Sequence, residues 1–158
     1  MKILGIDPGT TRIGYGLIEK NKGMKLLACG LINGEGIEKD GRLSHLENEV
    51  QALIDTHSPD LACIEKLFFA KNKKTASSVS EARGVILLVL QRSGIRFVEY
   101  GPSEIKSAVA GNGGADKRDV LQAVKWTLGV KEIPGPDDVS DAIAVALKGA
   151  FEVSPERP

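Results

Sequence analysis

Lys2-Ile3-Leu4-Gly5-Ile6-Asp7-Pro8-Gly9-Thr10-Thr11 reads as a short apolar strand that ends in an acid and breaks into a tight turn. Two further strand patterns follow at once, Ile13 to Glu19 and Met24 to Asn33, so the chain opens as a three-stranded meander. Apolar residues at Leu43, Leu46, Val50, Leu53 and Ile54 recur at helical spacing and predict a helix over roughly 41 to 57, stopped by Ser58-Pro59-Asp60. Leu61 to Glu65 is a fourth strand, again ending in an acid. A polar loop at Lys71 to Lys74 leads into a long helix from about Thr75 to Arg92, and Arg96 to Tyr100 is a fifth strand. Three helical stretches close the chain: Pro102 to Ala110, Lys117 to Leu128, and about Asp138 to Phe151. Strands and helices in this order call for an α/β domain whose sheet joins an antiparallel hairpin edge to parallel strands. The ribonuclease-H-like fold, a five-stranded mixed sheet flanked by helices, has that order. In it the first and fourth strands are neighbours, which would bring Asp7 and Glu65 together.

The 158 residues, 42% hydrophobic and 27% charged, suit one domain spanning 1–158 with a sizeable core. No stretch approaches the roughly 20 apolar residues needed to span a bilayer, and an acid and a turn stand where a signal peptide would stay apolar, so a cytoplasmic protein with no membrane partner is expected. Cys29 and Cys63 lie inside apolar runs and read as core thiols; His45 and His57 read as helix-face residues. Formal net charge is zero, which argues against a generally basic nucleic-acid binder, but the charge is uneven. Residues 66 to 118 hold ten Lys or Arg against four Asp or Glu, between acidic ends. A cationic middle beside acids is what would guide a polyanion to a carboxylate cluster, although a chance run of solvated side chains gives the same count.

The chemistry rests on Asp7, Glu65, Asp138 and Asp141. Asp7 and Glu65 each sit where a strand leaves the core, a costly place for an ionised carboxylate unless it is paired or binds a metal; a turn acid or a strand-end surface acid is the plainer reading. Two such acids on adjacent strands repel unless a cation lies between them. Pro136-Asp137-Asp138-Val139-Ser140-Asp141-Ala142 opens the last helix, where Asp and Ser ordinarily cap. Asp137 is assigned that role. Asp138 and Asp141, three apart, share a face that the neighbouring apolar residues turn toward the sheet. Four oxygen ligands without cysteine suit Mg²⁺, or Mn²⁺ in its place, better than zinc. A pair of such ions about 4 Å apart is a device for phosphodiester hydrolysis. The segment Gly84 to Leu90 is apolar on every face, which fits burial within the monomer or packing across a two-fold dimer.

Gly5 to Thr10 (GIDPGT), Ile64 to Asn72 (IExxFxxKN), Glu81 to Gly84 (EARG) and Asp138 to Ala142 (DxxDA) resemble the RuvC-type Holliday junction resolvases in order and spacing, over Met1 to about Leu147. The resemblance implies a homodimeric, magnesium-dependent crossover junction endodeoxyribonuclease acting in DNA recombination and repair. Such an enzyme nicks two opposed strands of a four-way DNA junction symmetrically, leaves 5′-phosphate and 3′-hydroxyl ends, and works beside a bacterial branch-migration helicase complex of the RuvA and RuvB type. Asp7, Glu65, Asp138 and Asp141 match the family's catalytic, metal-holding acids. Lys106 and Lys117 match lysines near the scissile phosphate. Phe68 matches an aromatic that stacks on a base near the crossover, and Phe69 stands where an aliphatic residue is commoner. Lys71, Lys73, Lys74, Arg83 and Arg118 are expected to contact the DNA backbone. The turn Gly5 to Thr11 also resembles the first phosphate loop of actin-like ATPases, but those need a second comparable domain and a later Asp-x-Gly-Gly-Thr segment that this chain lacks. A non-catalytic ribonuclease-H-like binding protein is a second alternative, weakened by the presence of all four acids.

Overall fold

A computed structural model describes residues 1–67 and 73–153, the side chains of Lys73 and Lys74 excepted. Strands β1 (Lys2–Asp7), β2 (Arg12–Lys20), β3 (Met24–Asn33), β4 (Leu61–Glu65) and β5 (Arg96–Tyr100) form one sheet in the order β3-β2-β1-β4-β5. β1 runs antiparallel to β2 and parallel to β4, and β4 runs parallel to β5. The expected mixed sheet, with the first and fourth strands side by side, is the one found.

Helices α1 (Arg42–His57) and α2 (Lys73–Arg92) cover one face; α3 (Pro102–Ala110), α4 (Lys117–Leu128) and α5 (Asp137–Glu152) cover the other. Strand alternation divides the core accordingly. Leu4, Ile6, Leu17, Ala62 and Ile64 pack toward α1 and α2, whereas Ile3, Ile18, Leu61 and Cys63 pack toward α5. Each such Leu or Ile, almost wholly withdrawn from water, contributes about 1.5–3 kcal/mol.

α1 stops at Ser58, which takes a left-handed conformation (φ 48°) and donates its N–H to the Ile54 carbonyl at 2.8 Å, before Pro59 bars a further turn. The Lys2 ammonium donates to the His57 carbonyl at 2.8 Å, and the Lys2 N–H donates to the Asp60 carboxylate at 2.6 Å. These bonds tie the end of α1 and the entry to β4 onto the start of β1, which fixes the register in which β1 and β4 carry their acids.

Three expectations are corrected. Of the two readings of Gly84 to Leu90, full burial within the monomer does not hold, because Gly84 is exposed and Leu88 is 48% exposed, while Ala82, Ile86, Val89 and Leu90 face the sheet. Cys63 is fully buried, but Cys29 lies on the edge strand β3 and is only half-buried. α2 begins at Lys73, two residues ahead of the expected start.

Candidate active site

The alternation that buries Ile3 on the α5 side of the sheet carries Gly5 and then Asp7 to the same side. On β4 it does the same for Leu61, Cys63 and Glu65. Ile3 pairs with Leu61 and Gly5 with Cys63, so Asp7 and Glu65 are the next step of a parallel ladder, at its open end. Both lie where the sheet ceases to be covered by apolar side chains.

The third element is the start of α5. Its closeness to the sheet depends on glycine: a Cβ on Gly5 would lie 2.1 Å from the Ala142 carbonyl oxygen, and a Cβ on Gly14 would lie 1.8 Å from that of Asp138. No side chain fits at either place, so the helix backbone rests on the strand backbone, and its first two turns bring Asp138 and Asp141 to the ends of β1 and β2. An open cleft of about 600 Å³ results, lined by Asp7, Glu65, Asp141, Lys106 and Lys117 together with Leu67, Pro102 and Ser103.

The electrostatics follow from crowding. Burial, and then the charges of Glu65, Asp141 and Asp138, push the Asp7 carboxyl up to about 8, against a small opposing pull from Lys117. Burial and Asp141 raise Glu65, with Lys106 and Lys117 opposing. Burial raises Asp141 despite its contact with Lys117. The Lys117 ammonium lies 3.3 Å from Asp141 and 3.4 Å from Asp137; burial would lower it, but these two carboxylates outweigh that and hold it above the usual lysine range. The Arg12 guanidinium lies 3.3 Å from Asp138. Among the described residues Asp7 has no cation within ion-pair distance.

This is the donor chemistry of a divalent-cation site: hard oxygen ligands from three elements, one of them a buried carboxyl that only a bound cation would favour in its ionised form. The arrangement is nonetheless open. Among the described residues no three acids close on a common point as a finished coordination sphere would, and Asp138 and Asp141 are held by Arg12 and Lys117.

The remaining sequence candidates are placed as follows. Lys106 lines the cleft from α3, and Lys117 stands in the first turn of α4. Arg118 follows it there, exposed. Arg83, half-buried, donates from Nε to Glu99 on β5 at 2.9 Å, so it has an intramolecular partner in place of open solvent. Lys73 and Lys74 lie in the first turn of α2. Phe68, Phe69 and Lys71 fall outside the described residues. Asp137 stands in the first turn of α5, where its charge suits the helix dipole, but it makes no capping bond: Pro136 holds the N-cap position, and Asp137 reaches Lys117. His45 and His57 sit in α1, away from the acids. Arg12 was not anticipated. The signal was present in β2, where the parity of Ile18, Gly16 and Gly14 toward α5 continues to position 12.

A sequence model of the family "Crossover junction endodeoxyribonuclease RuvC" matches residues 3–148. The RuvC of Chloroflexus aggregans is 46% identical over 153 residues, which cover 96% of this chain and 93% of that protein. Among solved structures, Thermus thermophilus RuvC superposes with a TM-score of 0.86 at 32% identity, covering 96% of this chain and 94% of that one. The T. thermophilus RuvC in complex with a Holliday junction substrate gives 0.85 at 29% identity, with the same coverage. The fold is therefore the ribonuclease-H-like fold of these nucleases, which implies dependence on a divalent metal ion. By sequence over nearly its whole length, by strand order and by the acids at the end of its sheet, the chain belongs to the RuvC family of crossover junction endodeoxyribonucleases.

Proposed function

We propose that this protein resolves Holliday junctions by metal-dependent nicking of two opposed strands, with Asp7, Glu65, Asp138 and Asp141 holding two Mg²⁺ ions, or Mn²⁺ in their place. The observation that carries the reading is the crowding at Asp7, a buried carboxyl beside Glu65, Asp138 and Asp141 with no cation within ion-pair distance among the described residues. Divalent ions bound there would activate a water on one side of the phosphodiester and stabilise the leaving 3′ oxygen on the other, giving 5′-phosphate and 3′-hydroxyl ends.

The protein's own groups divide the remaining work. Asp7 and Glu65, placed by the β1–β4 ladder, form one half of the site; Asp138 and Asp141, placed by the packing of α5 on Gly5 and Gly14, form the other half. Lys106 and Lys117 bring positive charge to the same cleft, where they would grip the backbone or offset charge that develops at the scissile phosphate. Phe68 or Phe69 would stack on a base near the crossover, and Lys71, Lys73, Lys74 and Arg118 would follow the phosphates. Arg83 would first have to leave Glu99. Two equivalent cuts suit a two-fold homodimer, and the exposed Leu88 on α2 offers apolar surface for it. The enzyme would act in the cytoplasm as one nuclease domain, in recombination and repair beside a branch-migration helicase of the RuvA and RuvB type.

A labelled four-way junction tests the proposal. The protein is expected to nick it symmetrically with Mg²⁺, and Asp7→Asn is expected to abolish nicking while junction binding persists, since only a metal ligand is lost. Cleavage by Asp7→Asn, or loss of binding together with cleavage, would contradict the assignment.

A further inference from the structure

Arg12 occupies a position with no role in the scheme above. It begins β2 and lies on the α5 side of the sheet by the same parity that turns Gly14 and Gly16 toward α5. Its guanidinium meets Asp138 through a single 3.3 Å contact; the arginine side chain is 48% exposed and the aspartate 27%. A half-exposed, single-contact ion pair is weak and readily exchanged. The two partners differ in freedom. Asp138 is anchored, because its carbonyl oxygen rests on Gly14 so closely that a Cβ there would stand 1.8 Å away. Arg12 reaches the carboxylate on a long side chain from the solvent-exposed start of a strand. The guanidinium fork fits a carboxylate or a phosphate equally well and keeps its charge at any working pH.

We propose that Arg12 is a placeholder counter-ion: it holds Asp138 in the metal-free enzyme, is displaced when a divalent ion claims that carboxylate, and passes to a backbone phosphate of bound DNA. Taking Asp138 as a metal ligand, as above, a cation and Arg12 compete for one carboxylate, and a phosphate that engages Arg12 relieves the competition. Metal affinity and DNA affinity are then coupled through one side chain, and the coupling is reciprocal. The arrangement biases metal loading toward the DNA-bound enzyme. Lys117 makes the analogous contact with Asp141, but it is shared with Asp137 and lines the cleft itself.

The test uses the full chain and reads binding as well as cleavage. Mn²⁺ affinity without DNA would be measured by calorimetry for the wild type, Arg12→Ala, Arg12→Lys and Asp138→Asn. Junction affinity would be measured in EDTA across a salt series. Arg12→Ala is expected to bind Mn²⁺ more tightly, by about fivefold or more, as befits a coupling between sites. Its log–log salt dependence for junction binding should fall by about one phosphate contact. Arg12→Lys, which restores a cation, should return both toward wild type. Arg92→Ala, which removes an arginine in a comparable 3.2 Å surface pair with Glu47, should change neither. Unchanged or weakened Mn²⁺ binding in Arg12→Ala, with Asp138→Asn still losing Mn²⁺, would overturn the role of Arg12 and leave the metal site standing. Wild-type Mn²⁺ binding by Asp138→Asn would overturn the ligand assignment beneath it.

Discussion

Helices α4 and α5 both start with aspartates and use them in opposite ways. At α4, Asp116 accepts the N–H groups of Arg118 at 2.8 Å and Asp119 at 2.9 Å, and these bonds, that of Asp119 first, hold its carboxyl below the usual range. At α5 no side chain caps. Pro136 takes that place, and Asp138 and Asp141 turn instead to Arg12, Lys117 and the cleft, where burial raises Asp141. An acid spent on backbone N–H groups is stabilised where it stands. An acid withheld from them and crowded against others is favoured as a charge only when a cation joins it. Proline makes the difference: fixed at φ −76°, it offers no side-chain acceptor to the first-turn N–H groups, and its carbonyl instead accepts the Val139 N–H at 3.0 Å.

The largest effect should come from making one substitution at both helices. Asp141→Asn is expected to lower junction cleavage by at least about 10²-fold, on the scale of losing a key electrostatic group in an active site. Asp116→Asn should cleave as the wild type does. Equal losses in the two variants would erase the distinction between capping and ligating acids.

The next effect is on pH dependence. Asp7 ordinarily titrates at 3.8 and is raised to about 8 in the folded, metal-free chain, so the folded state keeps a proton that the unfolded state gives up. Its contribution to stability is therefore fully present below the lower value and is lost as pH rises through the upper one. Glu65 and Asp141, also raised, act in the same sense. Asp116, lowered, acts in the opposite sense, and its contribution fades only as pH falls into the acid range. Melting temperatures of metal-free protein should thus decline from about pH 4 to pH 8, Asp7→Asn should flatten that decline, and Mg²⁺ should oppose it. A flat profile for the wild type would mean that the Asp7 carboxyl is already compensated.

The smallest effect sharpens the contrast from the other side. Asp116→Ala should lower the melting temperature by a few degrees through loss of its two N–H bonds, with Mn²⁺ affinity unchanged. A change in metal binding would place Asp116 within the site's electrostatics.

Much of this was legible in the sequence. β1, β4 and β5 have the expected bounds: β1 and β4 are short apolar runs closed by an acid, β5 lies between Gly94 and Gly101, and parity on β1 and β4 suffices to bring Asp7 and Glu65 to one face. Asp138 and Asp141 could be paired by helical spacing. What the sequence left hidden are contacts between side chains far apart in the chain: Arg12 with Asp138, Lys117 with Asp137 and Asp141, and Arg83 with Glu99. Long cationic side chains can reach several partners, and only the packing of the elements decides which lies within range: α5 on Gly5 and Gly14 for Asp138 and Asp141, and α2 beside β5 for Glu99. The half-burial of Cys29 and the exposure of Leu88 were hidden for a related reason, since an apolar run does not reveal whether its strand is at an edge or how far a neighbouring helix extends.

The central claim is that the acids of β1, β4 and α5 form one cation-binding pocket. Crystals soaked in Mn²⁺ and recorded at the manganese edge test it directly. Anomalous density is predicted in the cleft among Asp7, Glu65 and Asp141, with Asp138 turned from Arg12 toward the metal. An empty cleft at saturating Mn²⁺, with Arg12 still on Asp138 and Lys117 still on Asp141, would contradict it.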